Sequence, residues 1–98
     1  MPGTFIISRI DMKRMLTSMG ISESSIEGML SSLNKMHRHV NVVAFVGMLQ
    51  KLGLRQPEVS NLLRRIGIDD VTITDIFNTL DEEKIKSTFG RVVTLVVE

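Results

Sequence analysis

His37 and His39 flank Arg38 in the stretch "NKMHRHV", and two imidazoles this close raise metal ligation first. On a helix, residues two apart point away from each other, whereas a helical zinc pair needs i, i+4 spacing. The chain has no cysteine and places no acid beside the pair, so a solvated loop with a pH-sensitive contact is the better expectation. Without cysteine there are also no disulfides, no thiolate zinc site and no cysteine nucleophile. Lys13 with Arg14, Lys35 with Arg38, and Arg64 with Arg65 read as solvated helix faces unless the fold gathers them into one basic patch. No phosphate loop, nucleophile elbow or pair of acids with a plausible cleft is present, so the chain is not expected to be an enzyme or to hold a cofactor.

These residues need elements to position them, and the hydrophobic spacing is mainly helical. Ile10, Met12, Met15, Leu16 and Met19 form one apolar face that ends at Gly20. Ser22 is a suitable N-cap for a second helix with Ile26, Met29, Leu30 and Leu33. A third stripe, Val43, Phe45, Val46, Met48, Leu49 and Leu52, stops at Gly53. Pro57 suits the first turn of a fourth helix carrying Val59, Leu62, Leu63 and Ile66, with Gly67 as its stop. A fifth is expected to start near Thr74 and to bury Ile76, Phe77 and Leu80. The 98 residues suffice for one modest core, and with only four Phe and neither Trp nor Tyr that core rests on Ile, Leu, Val and seven Met.

The chain also repeats itself. Shifted by 33 residues, "ISRIDMKRMLTSMGISESSIEGMLSSL" lies over "VNVVAFVGMLQKLGLRQPEVSNLLRRI" without a gap. Ile7 meets Val40, Met15 meets Met48, Leu16 meets Leu49, Gly20 meets Gly53, and Leu30 meets Leu63. A third beat, "VTITDIFNTL", starts at Val71. The unit is a β-prone stretch, a helix, a tight turn at glycine and a second helix.

In this pattern the chain resembles the EF-hand family, in calmodulin-like helix–loop–helix repeats. "IEGMLSSL" is similar to an entering helix, "NKMHRH" to the loop, "VNV" to the loop strand and "VAFVGML" to the exiting helix. "PEVSNLLRRI", "GIDD", "VTI" and "TDIFNTL" suggest a second hand, and "FIISRIDMKRML" the tail of an earlier one. The resemblance implies a half-hand over 5–20, a hand over 22–53, a hand over 55–80, and antiparallel pairing of "VNV" with "VTI". It leaves 90–98 as a separate β-prone segment beyond a helical domain of 5–89. A calcium loop needs alternating oxygen ligands, a glycine at its sharp turn and a closing bidentate Glu. Here Met36 and Arg38 fall at ligand places, Ala44 stands at the closing place, and Lys35, His37, Arg38 and His39 oppose a cation. Asp69, Asp70 and Asp75 match acidic places in the next loop, but that loop is too short for the cage, and turn-forming or N-capping roles are expected for them. The resemblance therefore implies a degenerate, metal-independent pair used for scaffolding or docking.

Met12, Met15, Met19, Met36 and Met48 fall on or beside the apolar faces. With Lys35 and Arg38 they are the candidate partner-binding residues for an amphipathic helix or a neighbouring repeat; the alternative is that the methionines fill the core. "GRVVTLVVE" is β-prone and expected beside "TFIIS", or beside a second copy of the chain. A competing reading makes 54–80 a helix-turn-helix for DNA, with Thr72, Thr74 and Asn78 at base edges. The aspartates of its second helix and a net charge of +1 disfavour nucleic acid. No apolar run approaches the ~18 residues of a membrane span, and the N-terminus does not read as a signal peptide, so a cytoplasmic location is expected. The expectation overall is a mainly α domain of paired EF-hand-like units acting as a calcium-independent protein-interaction or structural module.

Overall fold

The computed structural model of the chain describes residues 3–81 and 93–98. Along the sequence run β1 (Gly3–Ile7), α1 (Arg9–Ser18), α2 (Glu23–Lys35), β2 (His39–Asn41), α3 (Val42–Lys51), α4 (Gln56–Ile66), α5 (Asp70–Asp81) and β3 (Val93–Val97). The fold is thus mainly helical with a small three-stranded sheet, in the order β1-β3-β2.

The repeat seen in the sequence reappears in the elements. Moved by 33 positions, α1 coincides with α3, and the first residue of α2 with the first residue of α4. The local chemistry matches too. Ser8 caps α1 by accepting the Asp11 N–H at 3.0 Å, and Asn41 caps α3 by accepting the Val43 N–H at 2.7 Å. Both caps are extended residues at the end of a strand, and each satisfies an otherwise orphaned donor. Ser22 caps α2 as its sequence position suggests, and Pro57 lies in the first turn of α4.

All four of these helices end alike. The carbonyls of Leu16, Leu33, Leu49 and Leu63 accept the N–H groups of Ile21, Arg38, Leu54 and Ile68, the long-range bond of a Schellman end. In three of them the residue before the donor is a glycine with positive φ: Gly20 at 87°, Gly53 at 98° and Gly67 at 114°. In α2 that place belongs to His37, at φ 59°, followed by Arg38 at φ 66°.

α3 organises the core. It packs on α4, α5, β2 and β3, and Val42, Phe45, Val46 and Leu49 are buried along its inward face. Complete burial of Phe45 alone is worth roughly 1.5–3 kcal/mol. α1 packs on α2, and Lys13 joins them through Glu27 at 3.2 Å and Glu23 at 3.6 Å. The hydrogen bond that Lys13 donates to Glu27 and the charges of both carboxylates raise the Lys13 pKa above the ordinary lysine value.

Two expectations change. The segment 71–73 is the first turn of α5, and the antiparallel pairing of "VNV" with "VTI" does not form. α5 begins at Asp70 instead of near Thr74, because the Asp69 carboxylate accepts the Thr72 N–H at 2.9 Å and starts the helix there. Ile73, Ile76 and Phe77 then share a buried helical face, a period that a strand at 71–73 could not continue. The place opposite "VNV" is taken by β3. Val40 pairs with Leu95 antiparallel, and on the other side Ile7 pairs with Val97 in parallel. The C-terminal segment does lie beside "TFIIS", but with β2 on its other side both its edges are occupied; self-association through this strand would require it to leave the sheet. Residues 82–92, which include most of "DEEK" and the start of "GRVVTLVVE", lie outside the described residues.

Candidate functional site: the basic loop between α2 and β2

The loop is built by the end of α2. After Lys35 the chain makes two tight turns, with Met36 N–H and Arg38 N–H both donating to the Leu33 carbonyl, at 3.0 and 2.9 Å. His37 N–H donates to Asn34 at 3.0 Å, and His39 N–H to Met36 at 3.2 Å. The Arg38 carbonyl then accepts the Val97 N–H at 3.0 Å, which ties the loop to β3. The backbone N–H groups of 36–39 thus all have partners within the chain, while residues 34–39 are all exposed. Two consecutive non-glycine residues in the left-handed region carry about 1–2 kcal/mol of strain each.

The loop differs from the other two basic pairs, each of which has at least one member held by an acid. Lys13 is bound by Glu23 and Glu27, Arg14 lies 3.8 Å from Asp11, and Arg64 donates to Asp70 at 2.6 Å. Among the described residues, no ion pair involves Lys35, His37, Arg38 or His39. Asn34, His37, Arg38, His39, Val96 and Glu98 line a shallow, open depression. The sheet register extends it, because Ile6, Val96 and His39 lie side by side across the three strands on the face away from the core. Ile6 is 59% exposed and Met36 42% exposed, so apolar surface adjoins the cations.

The candidate partner-binding residues separate into two groups. Met36, Lys35 and Arg38 come together in this exposed loop. Met12 and Met15 are buried in the core, and Met19 and Met48 are half-buried against it. A partner reaches Met12 or Met15 only if the helices separate; as folded, they fill space. Ile6 and Val96 were not singled out in the sequence, because which strand faces are open follows from the register.

The acids of the third beat have structural work. Asp69 caps α5, and Asp70 holds Arg64. Asp75 is half-buried on α5. Among the described residues no group of three or more histidines, cysteines and acids is arranged to hold a metal ion. Of the residues proposed for base contacts, Thr74 and Asn78 are exposed and Thr72 is half-buried. No helix among the described residues is long and apolar enough to cross a membrane. Comparison with known proteins finds no family model, no curated protein and no solved structure that matches the chain.

Proposed function

We propose that the chain is a calcium-independent protein-interaction module built from degenerate EF-hand-like repeats, and that the loop over 34–39 is its contact surface for an acidic, partly apolar segment of a partner protein. The observation that carries this reading is the strained basic loop. At three helix ends the chain uses glycine where left-handed backbone is required, and here it keeps His37 and Arg38 at an energetic cost. What the cost secures is a fixed display of Lys35, His37, Arg38 and His39 beside exposed Met36 and Ile6 and half-buried Val96. Unpaired cations around an apolar centre suit an acidic amphipathic helix, with steering by charge and affinity from the apolar contacts. The two matching strand–helix–turn–helix units support the EF-hand-like reading. Insertion of β3 between their strands departs from that family's direct strand pairing.

DNA binding through α4 and α5 gains less support. α5 carries Asp70 and Asp75 and no basic residue, a poor surface for a phosphate backbone.

The test is a titration of the ¹⁵N-labelled chain with a synthetic acidic amphipathic helix, at low and at high salt. Shifts should centre on residues 34–39 and Val96, weaken with salt, and vanish in the Lys35→Glu, Arg38→Glu double variant. Binding elsewhere, or binding that survives the double variant, refutes the assignment.

A further inference from the structure

The two edges of the sheet differ in a way that the binding-loop reading does not use. The β2 edge is three residues long and is entered through the basic loop, so two such edges repel each other. The β1 edge runs through Gly3–Ile7 with no charge and no proline, and thus lacks the usual devices that block strand addition.

The direction of its free hydrogen-bonding groups follows from the ladder. Ile7 accepts the Glu98 N–H at 2.7 Å and is in register with Val97, so Gly3, Phe5 and Ile7 turn their backbone groups toward β3. Thr4 and Ile6 therefore turn theirs outward. Both have exposed side chains as well. Among the described residues no strand lies on that side. Ile10, in the first turn of the helix that follows, is 65% exposed.

We infer that this edge binds the same edge of a second copy, forming a two-fold dimer with a continuous six-stranded sheet. A two-fold axis at Phe5 sets Thr4 of each copy opposite Ile6 of the other, and each such pair exchanges two N–H to carbonyl bonds. The pairing is neutral and uses strand residues only, which makes it self-complementary where the β2 edge is not. It also brings two copies of the Ile6 and Val96 strip together on the open face, with the basic loops at the two far ends. A five-residue strand pair is a small contact beside the ~1,200–2,000 Å² of stable complexes, so weak, concentration-dependent association is expected.

Sedimentation velocity of the full chain, from micromolar to millimolar concentration, tests the inference. The mass should rise toward twice that of the monomer. Ile6→Lys, which sets like charges across the axis, should abolish the rise. Thr4→Pro should do the same, since it removes an outward N–H and leaves the β1–β3 ladder donors intact. Lys35→Glu with Arg38→Glu should dimerise like the parent chain, which separates this inference from the binding-loop reading. A parent chain that stays monomeric throughout, or an Ile6→Lys chain that dimerises as readily, overturns it.

Discussion

At the scale of single residues, His37 occupies a place that glycine holds at Gly20, Gly53 and Gly67. Left-handed backbone brings the Cβ of an L-residue against the following carbonyl, and glycine avoids that clash. His37→Gly should therefore raise the unfolding free energy, by about 0.5–1 kcal/mol after the extra chain entropy of glycine is counted. Gly67→Ala should lower it by about 1–2 kcal/mol, because at φ 114° the added Cβ is strained even though its nearest neighbour, the Phe5 ring, is at an ordinary 3.9 Å. Urea melts of both variants check the pair, and equal effects of the same sign would contradict the account. The three glycine stops were legible in the sequence because glycine after a helical stripe has one common use. The His37 stop was not, since no residue type announces that histidine must adopt positive φ. The methionines show a similar limit: spacing placed Met12 and Met36 near apolar faces, but only packing put Met12 at 0% exposure and Met36 at 42%.

At the scale of elements, the helices followed from their stripes and caps, and the 33-residue repeat matched α1 to α3 and the start of α2 to that of α4. The sheet was less legible. "VTI" has β-branched residues suited to a strand, yet the cap at Asp69 and the spacing of Ile73, Ile76 and Phe77 made it helix. Local propensity yielded to the period of the buried face. The strand that does fill the sheet comes from the other end of the chain, and long-range strand order leaves no trace in local spacing. β3 alternates buried Val93, Leu95 and Val97 with half-buried Thr94 and Val96, and Leu95 is completely buried between Phe5 and Val40 in register. Leu95→Ala should cost about 2–5 kcal/mol, a large share of the total stability of a domain this size. Thermal and urea unfolding check this, and a change below 1 kcal/mol would mean that the central strand is dispensable.

At the scale of the whole molecule, a net charge of +1 hides an uneven distribution. Lys13, Arg14 and Arg64 are each matched by a nearby acid, while the loop over 34–39 keeps its cations available. The candidate site was legible as a loop carrying Lys35, His37, Arg38 and His39. Its apolar flank was not, because Ile6 and Val96 reach it only through the β1-β3-β2 order. The loop is held by hydrogen bonds to Leu33 and Val97, and the proposed calcium-independent role rests on that support alone fixing its shape. The measurement that tests this most directly is the amide NMR spectrum of the chain, recorded with chelator and again with millimolar calcium. Superimposable, well-dispersed spectra are expected, in which Val40 and Leu95 show cross-strand contacts. Calcium-dependent shifts within 34–39, or at Asp69, Asp70 and Asp75, would contradict that role and make the chain a metal sensor.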